Sequence, residues 1–140
     1  MTGSELRIQK LDRTSQRALT GWLADAERAG IDLDDVASIE RAYEAHFDAV
    51  LDTPETQRAD PTQVLTMIGM AMGEYVQRRS DVSWHVVTDT DGSDLALVGA
   101  DEAGVLFPAD LVADNWNAGQ RGWLGEFAGH VVAQLGAEKA

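Results

Sequence analysis

The sequence predicts a two-layer α+β domain, and three observations carry that expectation. Apolar residues recur at helical spacing as far as Arg79, the texture turns β-branched and alternating from Val82 to Phe107, and helical spacing returns after Pro108. A length of 140 residues, with 44% hydrophobic and 25% charged, is one ordinary globular domain's worth. The expected organisation is a single domain, 1–140, with a helical N-terminal extension (1–60) before a helix–meander–helix module (61–140). The element order is then ααα-βββ-αα.

Leu11, Leu19, Trp22, Leu23 and Ala26 form the stripe of a first helix from about Asp12 to Ala29, with Gly30 placed for a left-handed C-terminal cap. Val36, Ile39, Tyr43, Phe47 and Val50 form a second stripe, which Asp34 or Asp35 can cap and which ends before Pro54. The third helix has the clearest start: Asp60 as N-cap, Pro61 as first helical residue, Gln63 for a capping-box-like pair. It ends at Arg78 and Arg79, where positive charge suits the helix dipole. Its apolar residues cover more than half the circumference, which marks it as the central buried helix. Gly69 and Gly73 within it cost about 1 kcal/mol each against alanine; they either let another backbone approach closely or face water.

Val82 to Asp89 reads as a strand, Asp91-Gly92 as a tight hairpin signal, and Leu95 to Val98 as the return strand. A turn over 99–104 leads to Val105-Leu106-Phe107, and Pro108 stops it, so a three-stranded antiparallel meander over about 82–107 is the simplest topology. A short helix around Ala109 to Ala118 and a last one around Arg121 to Leu135 close the chain.

Charge narrows the function classes. There are 24 acids against 11 bases, a net −13, and a surface of that sign repels phosphate backbones and anionic headgroups. Nucleic acid and membrane are therefore not expected partners. The absence of cysteine removes disulfides, thiolate nucleophiles and cysteine-bound metals. No secretory signal opens the chain, and its longest weakly polar run, Pro61 to Gly73, is too short to span a bilayer, so a cytoplasmic protein is expected. Between Arg79 and Arg121 there is no Lys or Arg, while Asp81, Asp89, Asp91, Asp94, Asp101, Glu102, Asp110 and Asp114 occur. Such a run is either solvated turn and cap acids or a surface for a basic partner.

Four segments in order carry a family resemblance: Ile68-Gly-Met-Ala-Met-Gly-Glu74, Trp84-His-Val-Val-Thr-Asp89, Gly92-Ser-Asp-Leu-Ala-Leu97, and Phe107-Pro-Ala-Asp-Leu-Val-Ala113 followed by Trp116. Over roughly residues 64–124 the chain resembles a bacterial family known as domain of unknown function 3806. The pattern implies a helix ending in Gly-Glu, a strand opening with Trp, an acidic-Gly hairpin and a Phe-Pro helix start. It implies no activity, cofactor or catalytic residue.

Several chemistries fail on spacing. Asp89-Thr-Asp91-Gly-Ser93-Asp94 begins like a calcium loop, but the glycine and glutamate such a loop needs are replaced by Asp94 and Ala100. His46, His85 and His130 have no metal-ligand spacing, Ser93 lacks a G-x-S-x-G context, and no phosphate-binding glycine loop occurs. What remains is acidic. Glu40, Glu44, Asp48 and Asp52 recur every four residues as a like-charge ridge, either solvated or a dock for a basic protein. Glu74, at the border of the third helix's stripe, is either a partly buried functional carboxylate or a partner for Arg78 at i+4.

The leading expectation is a non-enzymatic interaction domain, without cofactor, that docks a basic protein through the hairpin (Asp89, Asp91, Asp94) and the ridge (Glu44, Asp48). The rival is a small-molecule or metal-dependent site built from Glu74, His85, Asp89 and Asp94, which requires those side chains to converge in one pocket.

Overall fold

The computed structural model describes residues 7–90, 92–99 and 104–136, and its helices begin where the sequence offers the first turn an acceptor or a preset backbone angle. The Ser15 N–H donates to Asp12 at 2.7 Å, starting α1 (Arg13–Arg28), and the Ala37 N–H donates to Asp35, starting α2 (Val36–Leu51). Gly30, at φ 93°, ends the first helix in a conformation that strains any residue with a Cβ. A single 3-10 turn, Glu55–Gln57, leads to α3 (Thr62–Arg79). Here Pro61 is the cap and not the first helical residue, and Asp60 takes the Thr62 N–H at 3.0 Å from one position further out. Then come α4 (Pro108–Asn117), with Pro108 in its first turn, and α5 (Leu124–Gly136). The last helix starts at Leu124 and not near Arg121 as expected, because Gly119 and Gly122 sit at φ 70° and 69° and hold the chain in non-helical turns.

The meander is present as β2 (Ser83–Asp89), β3 (Gly92–Val98) and β4 (Val105–Leu106). A fourth strand, β1 (Arg7–Lys10), pairs antiparallel with β2, giving a sheet of order β1-β2-β3-β4. Among the described residues the order is therefore β-ααα-βββ-αα, with five α-helices and four strands, which corrects the expected ααα-βββ-αα. Arg-Ile-Gln-Lys is an edge strand with one apolar side chain, and charged edges of that kind have no alternating signal to read. Asp89 pairs with Gly92, so the hairpin turns between these two residues. Asp91, the turn acids Asp101 and Glu102, and the side chain of Leu135 lie outside the described residues.

Alternation along the sheet sends Trp84, Leu95, Leu97 and Leu106 toward the helices, where they meet Leu65, Ile68, Met72 and Val76 of α3. Leu19 and Ala26 of α1, Ile39 and Tyr43 of α2, and Leu124 and Ala128 of α5 belong to the same core. Full burial of a side chain such as Ile68 or Leu97 stabilises by roughly 1.5–3 kcal/mol. The two helices before position 60 thus contribute to one core with the rest. On the other sheet face Val87, Ala96 and Val98 pack with Ile8, Val105 and Phe107 as a smaller cluster. The glycines of α3 are close-approach sites and do not face water. A Cβ on Gly69 would lie 2.6 Å from the Ala109 Cα, and one on Gly73 would lie 2.4 Å from the Trp84 ring. No helix among the described residues is long and apolar enough to cross a membrane.

Candidate functional site

Because β4 is two residues long, it covers β3 only at Leu97 and Val98. Phe107 then leaves the sheet, Pro108 turns the chain into α4, and the missing Cβ of Gly69 lets Ala109 settle on α3. The two layers part at the hairpin end of the sheet and leave a cleft of about 400 Å³. Trp22 of α1, Thr62, Thr66 and Met70 of α3, Ser93, Asp94 and Leu95 of β3, and Phe107, Ala109 and Asp110 line it. Apolar side chains are thus joined by three hydroxyls and two carboxylates, a mixture typical of ligand clefts, whose volumes start near 300 Å³.

The electrostatics of this cleft are one-sided. Asp94 pairs with Val87 and Asp89 with Gly92, so Asp89 and Asp94 are diagonal neighbours on one sheet face. Partial burial, then the like charges of Asp110 and Asp89, push the Asp94 carboxyl above its ordinary value. The residue as a whole stays exposed, so the shielding concerns the carboxylate's inner side and water still reaches the group. Among the described residues neither Asp94 nor Asp110 forms an ion pair. Asp110 belongs to the first turn of α4.

Glu74 and His85 lie elsewhere. The Trp84 indole N–H donates to Glu74 Oε1 at 3.0 Å, and Arg78 donates to Glu74 Oε2 at 2.7 Å. Arg78 also reaches both Asp34 oxygens at 3.1 Å, while Arg79 donates to the Asp34 carbonyl and lies 4.1 Å from the Tyr75 ring centre. Arg78, helped by Arg79, holds the Asp34 carboxyl below its ordinary value. This relay fastens β2, the end of α3 and the α1–α2 loop to one another, so Glu74 is the i+4 partner of Arg78 and the indole's acceptor. His85 follows Trp84 and points to the opposite face, with Nδ1 3.2 Å from the Ser83 carbonyl oxygen. Four residues of strand, about 13 Å, separate it from Asp89. The constellation of Glu74, His85, Asp89 and Asp94 is therefore not assembled. Among the described residues no group of three or more His, Asp or Glu side chains is arranged to hold a metal ion.

Three acids of the α2 ridge, Glu40, Glu44 and Asp48, are engaged by the chain itself, while Asp48 and Asp52 stay exposed. Glu44 accepts from Arg121 at 2.8 Å and from the Gly122 N–H at 2.9 Å, and Asp48 pairs with Arg121 at 2.6 Å. Glu40 accepts from the Gly125 N–H at 2.6 Å, and the Tyr43 hydroxyl donates to the Gln120 carbonyl at 2.7 Å. Together these groups hold the loop between α4 and α5. Beneath it Tyr43 meets Trp116 and Trp123 edge-on at 5.8 and 5.5 Å, and His46 stacks on Trp116 at 5.1 Å. Burial pushes the His46 pKa down, which favours the neutral form of the stacked ring.

Of the expected site residues, the structure brings together Asp89 and Asp94 and adds Asp110, Trp22, Met70, Thr62 and Thr66. Sequence reasoning noted Asp110 only as part of the uncompensated acidic run. Its place in Phe107-Pro-Ala-Asp110, directly after the short third strand of the meander, was the signal that could have moved it to the hairpin. The family model described as Domain of unknown function (DUF3806) matches residues 45–127, more than half of the chain. No curated protein and no solved structure matches.

Proposed function

The chain belongs to the DUF3806 family, and for this member we propose a non-enzymatic role: docking a basic protein, whose Lys or Arg side chains settle at the rim of the cleft formed by Asp94 and Asp110. One observation carries this reading. Asp94 is a partly shielded carboxylate among like charges, with no counter-ion among the described residues. An incoming cation removes that repulsion, and the apolar walls supplied by Trp22, Met70 and Phe107 suit the methylene stem behind a Lys or Arg head. The net charge of −13 adds steering at longer range, which speeds encounter more than it deepens affinity.

The test is a pull-down from native lysate with the wild-type chain, with Asp94→Lys/Asp110→Lys, and with a control of equal charge change at Asp52 and Glu126, which are exposed and do not line the cleft. The expected result is a basic protein that high salt releases, that the control retains and that the cleft variant loses. Equal retention by the cleft variant and the control would overturn the proposal and leave the acidic charge a solubility device.

A further inference from the structure

We infer that the docked partner is an extended segment that adds as a strand to the open outer edge of β3, with basic and apolar residues alternating along it. The inference rests on the docking role proposed above and specifies how the partner is held. Gly92 to Ala96 pair with β2 on one side, whereas β4 reaches only Leu97 and Val98 on the other. Ala96 is buried, but Gly92 to Asp94 are exposed and Leu95 partly so; a run of four residues, about 13 Å of strand, therefore has main-chain groups facing the gap across which Phe107, Ala109 and Asp110 stand. Exposed edges of this kind are templates for a further strand, and proteins that do not use them cover or charge them. Here the charge is of one sign, which repels a second copy of this acidic chain and attracts a basic segment.

The two faces of an added strand would meet different chemistry, because strand side chains alternate. Side chains on the helical side enter the cleft beside Leu95, Met70 and Trp22. Those on the other side share the face of Asp94 and Asp89. An occupant that satisfies both carries apolar residues at alternate positions and Lys or Arg between them. Main-chain pairing then supplies affinity and the two rows of side chains supply selectivity.

Fluorescence anisotropy with a labelled, capped peptide of alternating lysine and valine tests this, alongside the same peptide N-methylated on its valines, which keeps the charge but blocks pairing. At physiological salt the unmodified peptide should bind, and N-methylation should weaken it by about tenfold or more. Asp94→Lys/Asp110→Lys should weaken it similarly while the Asp52/Glu126 reversal leaves it nearly unchanged. Amide exchange within 92–95 should slow on binding. If the N-methylated peptide binds as well as the unmodified one while the cleft reversal still weakens both, strand addition is wrong and the acidic docking role stands. If the cleft and control reversals act alike, or neither peptide binds, both ideas fall.

Discussion

Gly69→Ala should destabilise this protein, although the same change in an unobstructed helix stabilises it. Helix propensity alone favours alanine by about 1 kcal/mol. Against that, the new Cβ would stand 2.6 Å from the Ala109 Cα, 2.8 Å from the Ala109 nitrogen and 3.0 Å from the Pro108 carbonyl carbon. Optimal carbon contacts lie at about 3.5–4.0 Å, so the first turn of α4 has to retreat by roughly 1 Å. Those three atoms are main chain and cannot rotate aside, which places the overpacking penalty near the upper end of the usual range, about 1–3 kcal/mol. The net loss is then about 1–2 kcal/mol. With a urea slope of about 2 kcal/mol per molar, the unfolding midpoint falls by about 0.5–1 M. Gly21→Ala is the internal control: it lies within α1, nothing would stand within 4 Å of its Cβ, and its midpoint should rise. A Gly69→Ala midpoint at or above that of the wild type would refute the close crossing of α3 and α4.

Glu44→Gln should cost about 1–2 kcal/mol, because a charge-assisted bond to the Gly122 N–H and the Arg121 pair are both weakened; urea denaturation checks it, and a stabilised variant would mean that ridge repulsion outweighs the loop contacts. Asp94 concerns pH. Its folded-state pKa is raised, so the folded chain holds that proton more tightly than the unfolded one, and stability is lost as pH rises through the folded pKa. Asp94→Asn should therefore raise the urea midpoint at neutral pH, with the gain disappearing below the ordinary carboxylate range; a gain of equal size at both pH values would point to another cause. Asp60→Ala should cost about 0.5–1 kcal/mol through loss of the Thr62 N–H acceptor, and an unchanged midpoint would show that this exposed bond contributes nothing.

Much of the helical layer is legible in the sequence because its signals are local. Asp12, Gly30, Asp35 and Pro108 each act within a few residues, and the apolar stripes face the core that they predict. β1 is not legible, since Arg7–Lys10 is a strand only by virtue of its register with β2, a partner far along the chain. The site divides in the same way. Asp89 and Asp94 are neighbours because a two-residue connection fixes their register, and that much can be read from the hairpin signal. Asp110 joins them only because β4 stops after Leu106 and Gly69 admits Ala109, neither of which spacing reveals. The counter-ion of the α2 ridge is illegible in the sequence for a related reason: Arg121 lies 77 residues beyond Glu44.

The way α2 holds the α4–α5 loop sets where this molecule tolerates drift. Three of the contacts, from Tyr43, Glu44 and Glu40, go to the Gln120 carbonyl and to the Gly122 and Gly125 N–H groups. A carbonyl or an N–H is present at almost any residue, so these three contacts recognise the path of the chain and not its composition. Beyond Arg121, which pairs with Glu44 and Asp48, and Trp123, which packs on Tyr43, the latch asks chiefly that Gly119 and Gly122 keep their positive φ, whereas a change at Tyr43 or Glu44 has no substitute. All three gripping residues precede position 45, where the family match begins. A fragment cut at that boundary would keep the loop and lose the latch.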